Sequence, residues 1–583
     1  MKTAVRRAPT RGTEAAGASV VPNPALSGDL GAVAAATLTR ARDHLLGLQD
    51  PGGWWIGELE TNVTMDAEDM LLRHFLGILT KTDAEETAAW IRSQQREDGT
   101  WANFYAGPGD LSTTTEAYVA LKLAGDDQDA AHMRRAAAWI TSQGGVTATR
   151  VFTRIWLAVS GLWDWDALPV IPPEVIYLPS RFPLNIYDWG CWARQTVVAL
   201  AVVSSFKPSK PLPVTIDELY AKVPGLPPKA GNKDPWSLAF TALDKALHKI
   251  EPRLPKAARR AARRRCIDWI IARQEADGCW GGIQPPWVYS IMALHLMGYG
   301  LDNPIVTKAL DGLEGFTIRE DGMRRLEACQ SPVWDTVLCM TALEDAGLEP
   351  DNPALTSAAR WVLDEEIRQP GDWQVRRPYT APAGWAFEFE NDNYADTDDT
   401  AEVVLALRRL DLKERTAENR AAIGRGLRWL EGMQCKDGGW GANYLYGTGA
   451  VVPALIAAGV KPGKPPIRRA VAWLESVQND DGGWGEDLRS YDDPAQWSGR
   501  GASTASQTAW ALLALLAAGE RDSRATERGI RWLAQTQRPD GTWDEPYFTG
   551  TGFPGDFYLN YHLYRLAFPV SALGRYVRGT SHD

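Results

Sequence analysis

Apolar residues recur every three to four positions along most of this chain, the spacing of a helix with one buried face. AVAWLESVQ (470–478) and GIRWLAQTQ (529–537) are such segments, whereas STASQTAWALLALLAAG (503–519) and GAVVPALIAAG (449–459) are apolar nearly all round. Alternation of the strand type is scarce. Each amphipathic segment ends in Gln, then turn-forming residues, then Gly-x-Trp or Gly-Gly-Trp. This occurs at Gln49 to Trp54, Gln95 to Trp101, Gln274 to Trp280, Gln434 to Trp440, Gln478 to Trp484 and Gln537 to Trp543, with a looser copy from Gln369 to Trp373. An internal repeat of this kind predicts an all-α chain of stacked helix pairs, either an open solenoid or a closed toroid. The Gly is expected to end one helix, and the Gln and Trp to tie that end to the next.

Composition narrows the function. A chain of 583 residues, 45% hydrophobic and 23% charged, can bury a sizeable core and exceeds one ordinary domain. The net charge of −11 speaks against nucleic acid as a partner. The run Arg253 to Arg265 is a local basic exception, read equally as a solvated helix face. Cysteines at 191, 266, 279, 329, 339 and 435 show no zinc or disulfide spacing. Residues 1–30, rich in Gly, Ala and Pro, are expected to be disordered and carry no apolar signal-peptide core. No apolar run reaches the ~18 residues of a spanning helix, so any membrane association is expected to be peripheral or monotopic. Residues 234–250, DPWSLAFTALDKALHKI, set Trp236 and Phe240 beside the basic run, as an interfacial anchor or an ordinary core helix would.

The sharpest chemical signal is Asp396-Thr397-Asp398-Asp399-Thr400-Ala401. Such a cluster can cap a helix or hold Mg²⁺ or Ca²⁺. It can also keep a proton, because neighbouring carboxylates cannot all ionise cheaply. Aromatic residues outside the repeats, Trp192, Trp334, Phe387, Phe553, Phe557, Tyr561 and Tyr564, could stabilise cations at about 0.5–2 kcal/mol each. An acid beside such a surface suggests carbocation chemistry.

The repeats, DTDDTA, WGGIQPPW (280–287), SPVWDT (331–336), NYLYGTGAVV (443–452), GGWGED (482–487) and TGTGFPGDFYLNY (549–561) together resemble the bacterial squalene-hopene cyclases. The resemblance, from about Trp54 to Tyr576, implies two α/α barrel domains around an apolar cavity. Residues 31–60 and 300–583 would form the catalytic barrel, and 61–299 the second, with a membrane-contact segment at about 234–250. It implies protonation of squalene by Asp398, with Asp396 and Asp399 as hydrogen-bonded neighbours, and release of hopene, or of hopanol after water capture. Trp192, Trp334, Phe387, Phe553 and Phe557 would face successive cations, and Tyr561 and Tyr564 would line the same cavity. Tyr446 and Trp440 would lie near the acid, and Gln284 and Pro285 near the final cation. No metal and no cofactor are implied. Monotopic attachment at the cytoplasmic face of the membrane and a homodimer are part of the same expectation.

One departure stands out. The family carries another helix pair before NYLYGT, with a His that hydrogen-bonds the acid. Here GMQCKDGGWGANYLYGTGAVV runs straight through, and no His lies between 296 and 561. This predicts a weakened cyclase, or a helical toroid without chemistry. A cyclase of another terpene is the remaining alternative.

Overall fold

The computed structural model describes residues 29–183, 185–220, 255–410, 416–433, 444–457, 459–553 and 557–579. Residues 1–28, segment 234–250 and Trp440 therefore lie outside the described residues. The chain divides into two compact units, one running to Glu60 and resuming at Gln330, the other spanning Thr61–Cys329. The second boundary thus falls at 330 where the sequence reading placed it at 300.

The longer elements, in chain order, begin with α1 Leu30–Gly47 and β1 Leu59–Glu60. The inserted unit then contributes α2 Thr64–Leu76, α3 Lys81–Ser93, α4 Leu111–Ala124, α5 Ala131–Ser142, α6 Val151–Val159, α7 Cys191–Phe206, α8 Lys256–Ile271, α9 Gln284–Leu296, α10 Pro304–Gly315 and the hairpin β2 Thr317–Glu320, β3 Met323–Leu326. The first unit resumes with α11 Pro332–Asp345, α12 Pro353–Asp364, α13 Thr397–Arg409, α14 Thr416–Met433, α15 Tyr444–Ala457, α16 Pro465–Ser476, α17 Ala505–Ala517, α18 Arg524–Thr536, β4 Gly550–Phe553, β5 Phe557–Tyr561 and α19 Tyr564–Arg578. Its small antiparallel sheet has the order β1-β5-β4, with Leu59 opposite Tyr561 and Glu60 opposite Asn560. Both units are α/α barrels.

Burial sorts the helices of the first unit into two rings. Almost every side chain of α17 is buried, whereas α18 buries one stripe that includes Ile530 and Leu533. That is the difference between an inner helix, covered on all sides, and an outer one facing water. Inner helices α11, α19, α17 and α15 pack in succession.

The repeat motif is the joint between rings. Gln95, Gln274, Gln478 and Gln537 each donate from Nε2 to the carbonyl four residues on and to a carbonyl of the next outer helix, those of His132, Ile305, Ala525 and Thr37 at 2.8–3.1 Å. Gln49 does the same to Gly53 and Ala354. The tryptophan six residues beyond each Gln donates Nε1 to a carbonyl ten residues back: Trp55 to Leu45, Trp101 to Ile91, Trp280 to Ile270, Trp484 to Leu474 and Trp543 to Leu533, all at 2.7–2.8 Å. The first clamp is therefore made by Trp55 and not Trp54, which packs on Trp361 and Phe389. The looser copy fails for the same reason of spacing. Gln369 bonds Asp392, Trp373 abuts Trp429, and Trp385 supplies the indole bond, to Val362.

Glycine is obligatory in these joints. Gly278 has φ +99°, and a Cβ there would lie 2.2 Å from the Lys308 carbonyl oxygen; Gly541 has φ +91°, and its Cβ would lie 2.5 Å from that of Arg40. Neither left-handed backbone nor contact distance admits a side chain. Gly278→Ala is expected to lower stability by about 2–4 kcal/mol, adding strain to the separation of α8 from α10. Thermal unfolding measures this, and a midpoint equal to the parent's would contradict the clamp geometry.

Candidate functional site

In the first unit, the acidic motif opens α13. Asp396 is its N-cap, accepting the N–H groups of Asp398 at 2.8 Å and Asp399 at 3.0 Å, while its own N–H donates to the Trp385 carbonyl. The capping and acid readings are thus filled by different members of one motif. Asp399 is buried, and Asp398 is exposed on the helix face that continues to Glu402 one turn on. Burial raises all three carboxyls above the ordinary Asp value. Asp398 is lifted further by Asp396, and Asp399 by Asp396, Asp398 and Glu388. Glu402 is raised likewise, by burial and then by Asp398 against the pull of Arg409. Sequence reasoning passed over Glu402, although its i+4 spacing from Asp398 was visible.

Tyr446, on α15, lies in the field of Glu402, Asp398 and Asp399, and its phenol is held far from ionising, chiefly by burial. Beyond it an aromatic wall is assembled from the predicted residues. Tyr561 and Tyr564 stack at 4.3 Å and 9°, Phe387 meets Tyr561 edge-on at 6.4 Å, and the Trp334 Nε1 donates to the Tyr564 hydroxyl at 2.8 Å. Phe557 is half-buried at the start of β5, and Phe553 ends β4, the backbones of the two being paired. Two members went unremarked in the sequence. Trp510 and Phe568 join Tyr446 to Tyr564, all edge-on, and both sit within apolar helical runs that resemble plain core.

Trp192, Gln284 and Pro285 belong to the second unit. Trp192 is half-buried in α7, and Gln284 and Pro285 open α9. The Gln284 side chain is buried, and neither of its polar atoms has a close hydrogen-bond partner. Nearby lies a group that no motif announced. Glu68 and Glu116 are fully buried with pKa values raised by desolvation, Glu68 further by Glu116, and Arg150 opposes the rise in both. Glu116 accepts a short hydrogen bond from the Thr153 hydroxyl. Trp156 bears on both Glu68 and Tyr289, whose phenol pKa is raised by burial and then by Glu68 and Glu116. Two glutamates on apolar helix faces, in NVTMDAED and STTTEAYV, were the available signal.

The acid lacks the expected histidine, and the fold marks the place. Helices α13 and α15 are consecutive inner helices of the described chain, yet they do not pack along one another. Leu405 on α13, Leu427 on α14 and Val451 on α15 are 51%, 43% and 54% exposed.

Comparison with known proteins shows the family. The sequence model of the squalene-hopene cyclase N-terminal domain matches residues 38–322, and that of the C-terminal domain matches 330–442 and 440–578, two runs broken at the seam. The squalene–hopene cyclase of Alicyclobacillus acidocaldarius is 46% identical, covering 93% of this chain and 97% of its own. That match extends over 618 positions, of which this chain, at 93% of 583 residues, fills about 542. The squalene–hopene cyclase of Bradyrhizobium diazoefficiens is 36% identical over 93% of this chain and 94% of its own, and the dammaradiene synthase of Dryopteris crassirhizoma 34% over 92% and 93%.

Asp399 offers a test of the electrostatics. Its folded pKa lies above the unfolded value near 4, so its neutral form stabilises the fold below that value, and the contribution is lost as pH rises toward the folded pKa. Asp399→Asn stays neutral. Its thermal advantage over the parent is expected to grow between about pH 5 and pH 8, and a difference independent of pH would show that Asp399 is ionised throughout.

Proposed function

The chain belongs to the squalene-hopene cyclase family, and we propose that Asp398 is the acid through which it begins the cyclisation of squalene to hopene. The reaction is an isomerisation driven by a proton, in which a carboxylic acid protonates the terminal alkene and ring closures carry the cation along the folded polyene. The observation that carries the assignment is the arrangement of Asp398. It is the outward member of a motif whose other aspartates cap the helix or are buried, and desolvation, then Asp396, raises its pKa. Raised affinity alone makes a weak acid. Protonating an alkene also needs stabilisation of the carboxylate left behind. The Asp398 and Asp399 backbone N–H groups bind Asp396 rather than the acid, so the missing histidine is not replaced there.

Trp334, Phe387, Phe557, Tyr561 and Tyr564 present ring faces and edges suited to successive cations, without nucleophiles strong enough to trap them, and Phe553 is assigned to the same set. Termination is assigned to the second unit. Gln284 and Pro285 orient water at the final cation: loss of a proton from the cation to that water gives hopene, and capture of the water with loss of its proton to solvent gives hopanol. Among the described residues no helix is long and apolar enough to cross a membrane. Supply of squalene is assigned to monotopic contact of segment 234–250 with the cytoplasmic face of a membrane, and assembly as a homodimer belongs to the same reading.

Purified chain incubated with squalene in detergent is expected to give hopene detectable by mass spectrometry, at a low rate because the acid lacks its partner. Asp398→Asn is expected to reduce it by more than about a hundredfold; unchanged turnover would remove Asp398 from the mechanism. Replacing Trp236 and Phe240 by Ala is expected to cut sedimentation with anionic vesicles severalfold, and unchanged sedimentation would move the contact elsewhere.

A further inference from the structure

Tyr446 stands in the field of the acid on α15, and among the described residues α15 packs most extensively on α17. The contact there is close. Gly449, almost one turn beyond Tyr446, lies so near α17 that a Cβ would sit 2.9 Å from the Trp510 Cβ and 3.1 Å from its carbonyl oxygen. Backbone therefore lies directly on the tryptophan.

From this point the Trp510 ring reaches three other rings, meeting Tyr446 at 5.3 Å and 73°, Phe568 at 5.4 Å and 76°, and Tyr564 at 6.0 Å and 75°. All three are edge-on geometries that favour one ring orientation over others. The Tyr564 end is fixed in turn by the hydrogen bond from Trp334. Trp510 is buried, and its own indole N–H has no acceptor, unlike the clamp tryptophans Trp484 and Trp543 on either side of it in sequence. Its place is set by packing, and it serves no joint between outer helices.

We propose that Trp510 is a positioning residue for the known reaction, holding the Tyr446 phenol against the acid cluster in place of the support an adjoining inner helix would give. The proposal rests on the assignment of Asp398 as the acid with Tyr446 beside it. Trp510 acts through Tyr446, by limiting how far α15 and its phenol can drift from the motif across the seam.

A double-mutant cycle on squalene turnover separates this from a general packing role. Trp510→Ala in the parent is expected to lower kcat about tenfold with KM little changed, and to alter the pH profile of kcat as Tyr446→Phe does. In the Tyr446→Phe background the same replacement is expected to cost less than twofold. Trp510→Phe, which keeps a ring edge against Tyr446, is expected to recover most of the loss. An equal factor in both backgrounds would overturn the proposal, since a residue that only supports the fold subtracts regardless of the phenol. If Trp510→Ala loses its cooperative thermal transition, Trp510→Phe and Gly449→Ala replace it in the cycle; Gly449→Ala forces the two helices apart and carries the same expectation. Asp398→Asn is run alongside. Retained turnover in that variant would defeat the acid assignment, whereas its loss together with an additive cycle would defeat the positioning role alone.

Discussion

A glutamine carboxamide at the end of an outer helix is the joint on which this architecture depends. Each of the five described glutamines binds the carbonyl of the glycine four residues on and a carbonyl of the next outer helix. An indole N–H adds a third bond inside each copy. At about 1 kcal/mol net per hydrogen bond, one joint is worth about 3 kcal/mol. Five together rival the whole net stability of an ordinary domain, so the rings are held by repeated polar joints as much as by their apolar interior.

That economy lets such an architecture tolerate loss of a helix pair. Each pair contacts mainly its neighbours, so removal at a repeat boundary leaves the other joints intact and concentrates the damage at one seam. The cost is chemical more than architectural. Leu405, Leu427 and Val451 face water, and Asp398 is the outward member of its motif while desolvation still raises its carboxyl pKa. Asp396 and Asp399 keep their capping and buried places, so the motif stays structurally whole while its electrostatic setting is thinned.

Much of this was legible in the order of residues. The Gln-to-Trp spacing predicted helix pairs, and the six-residue interval would have selected Trp55 over Trp54 and rejected Trp373 had it been applied strictly. DTDDTA showed an acid site, but three carboxylates in four residues could not say which one caps; only the backbone of α13 assigns that to Asp396. Trp510 and Phe568 were hidden because an aromatic in an apolar helix looks the same whether it fills a core or braces a site. Glu68 and Glu116 were hidden for the opposite reason, as isolated acids in separate helices whose meeting depends on tertiary packing.

Gln537 donates to the carbonyl of Thr37, so α18 near the end of the chain is joined to α1 near its beginning, across 500 residues. Between them the chain makes an entire second unit, Thr61–Cys329. During synthesis that inserted unit is complete while α1 still waits for its partner, exposing the apolar stripe of Val33, Ala34, Leu38, Ala41 and Leu45 until the last helices emerge. Helix α1 is thus buried only once the helices it meets at the far end of the chain have been made.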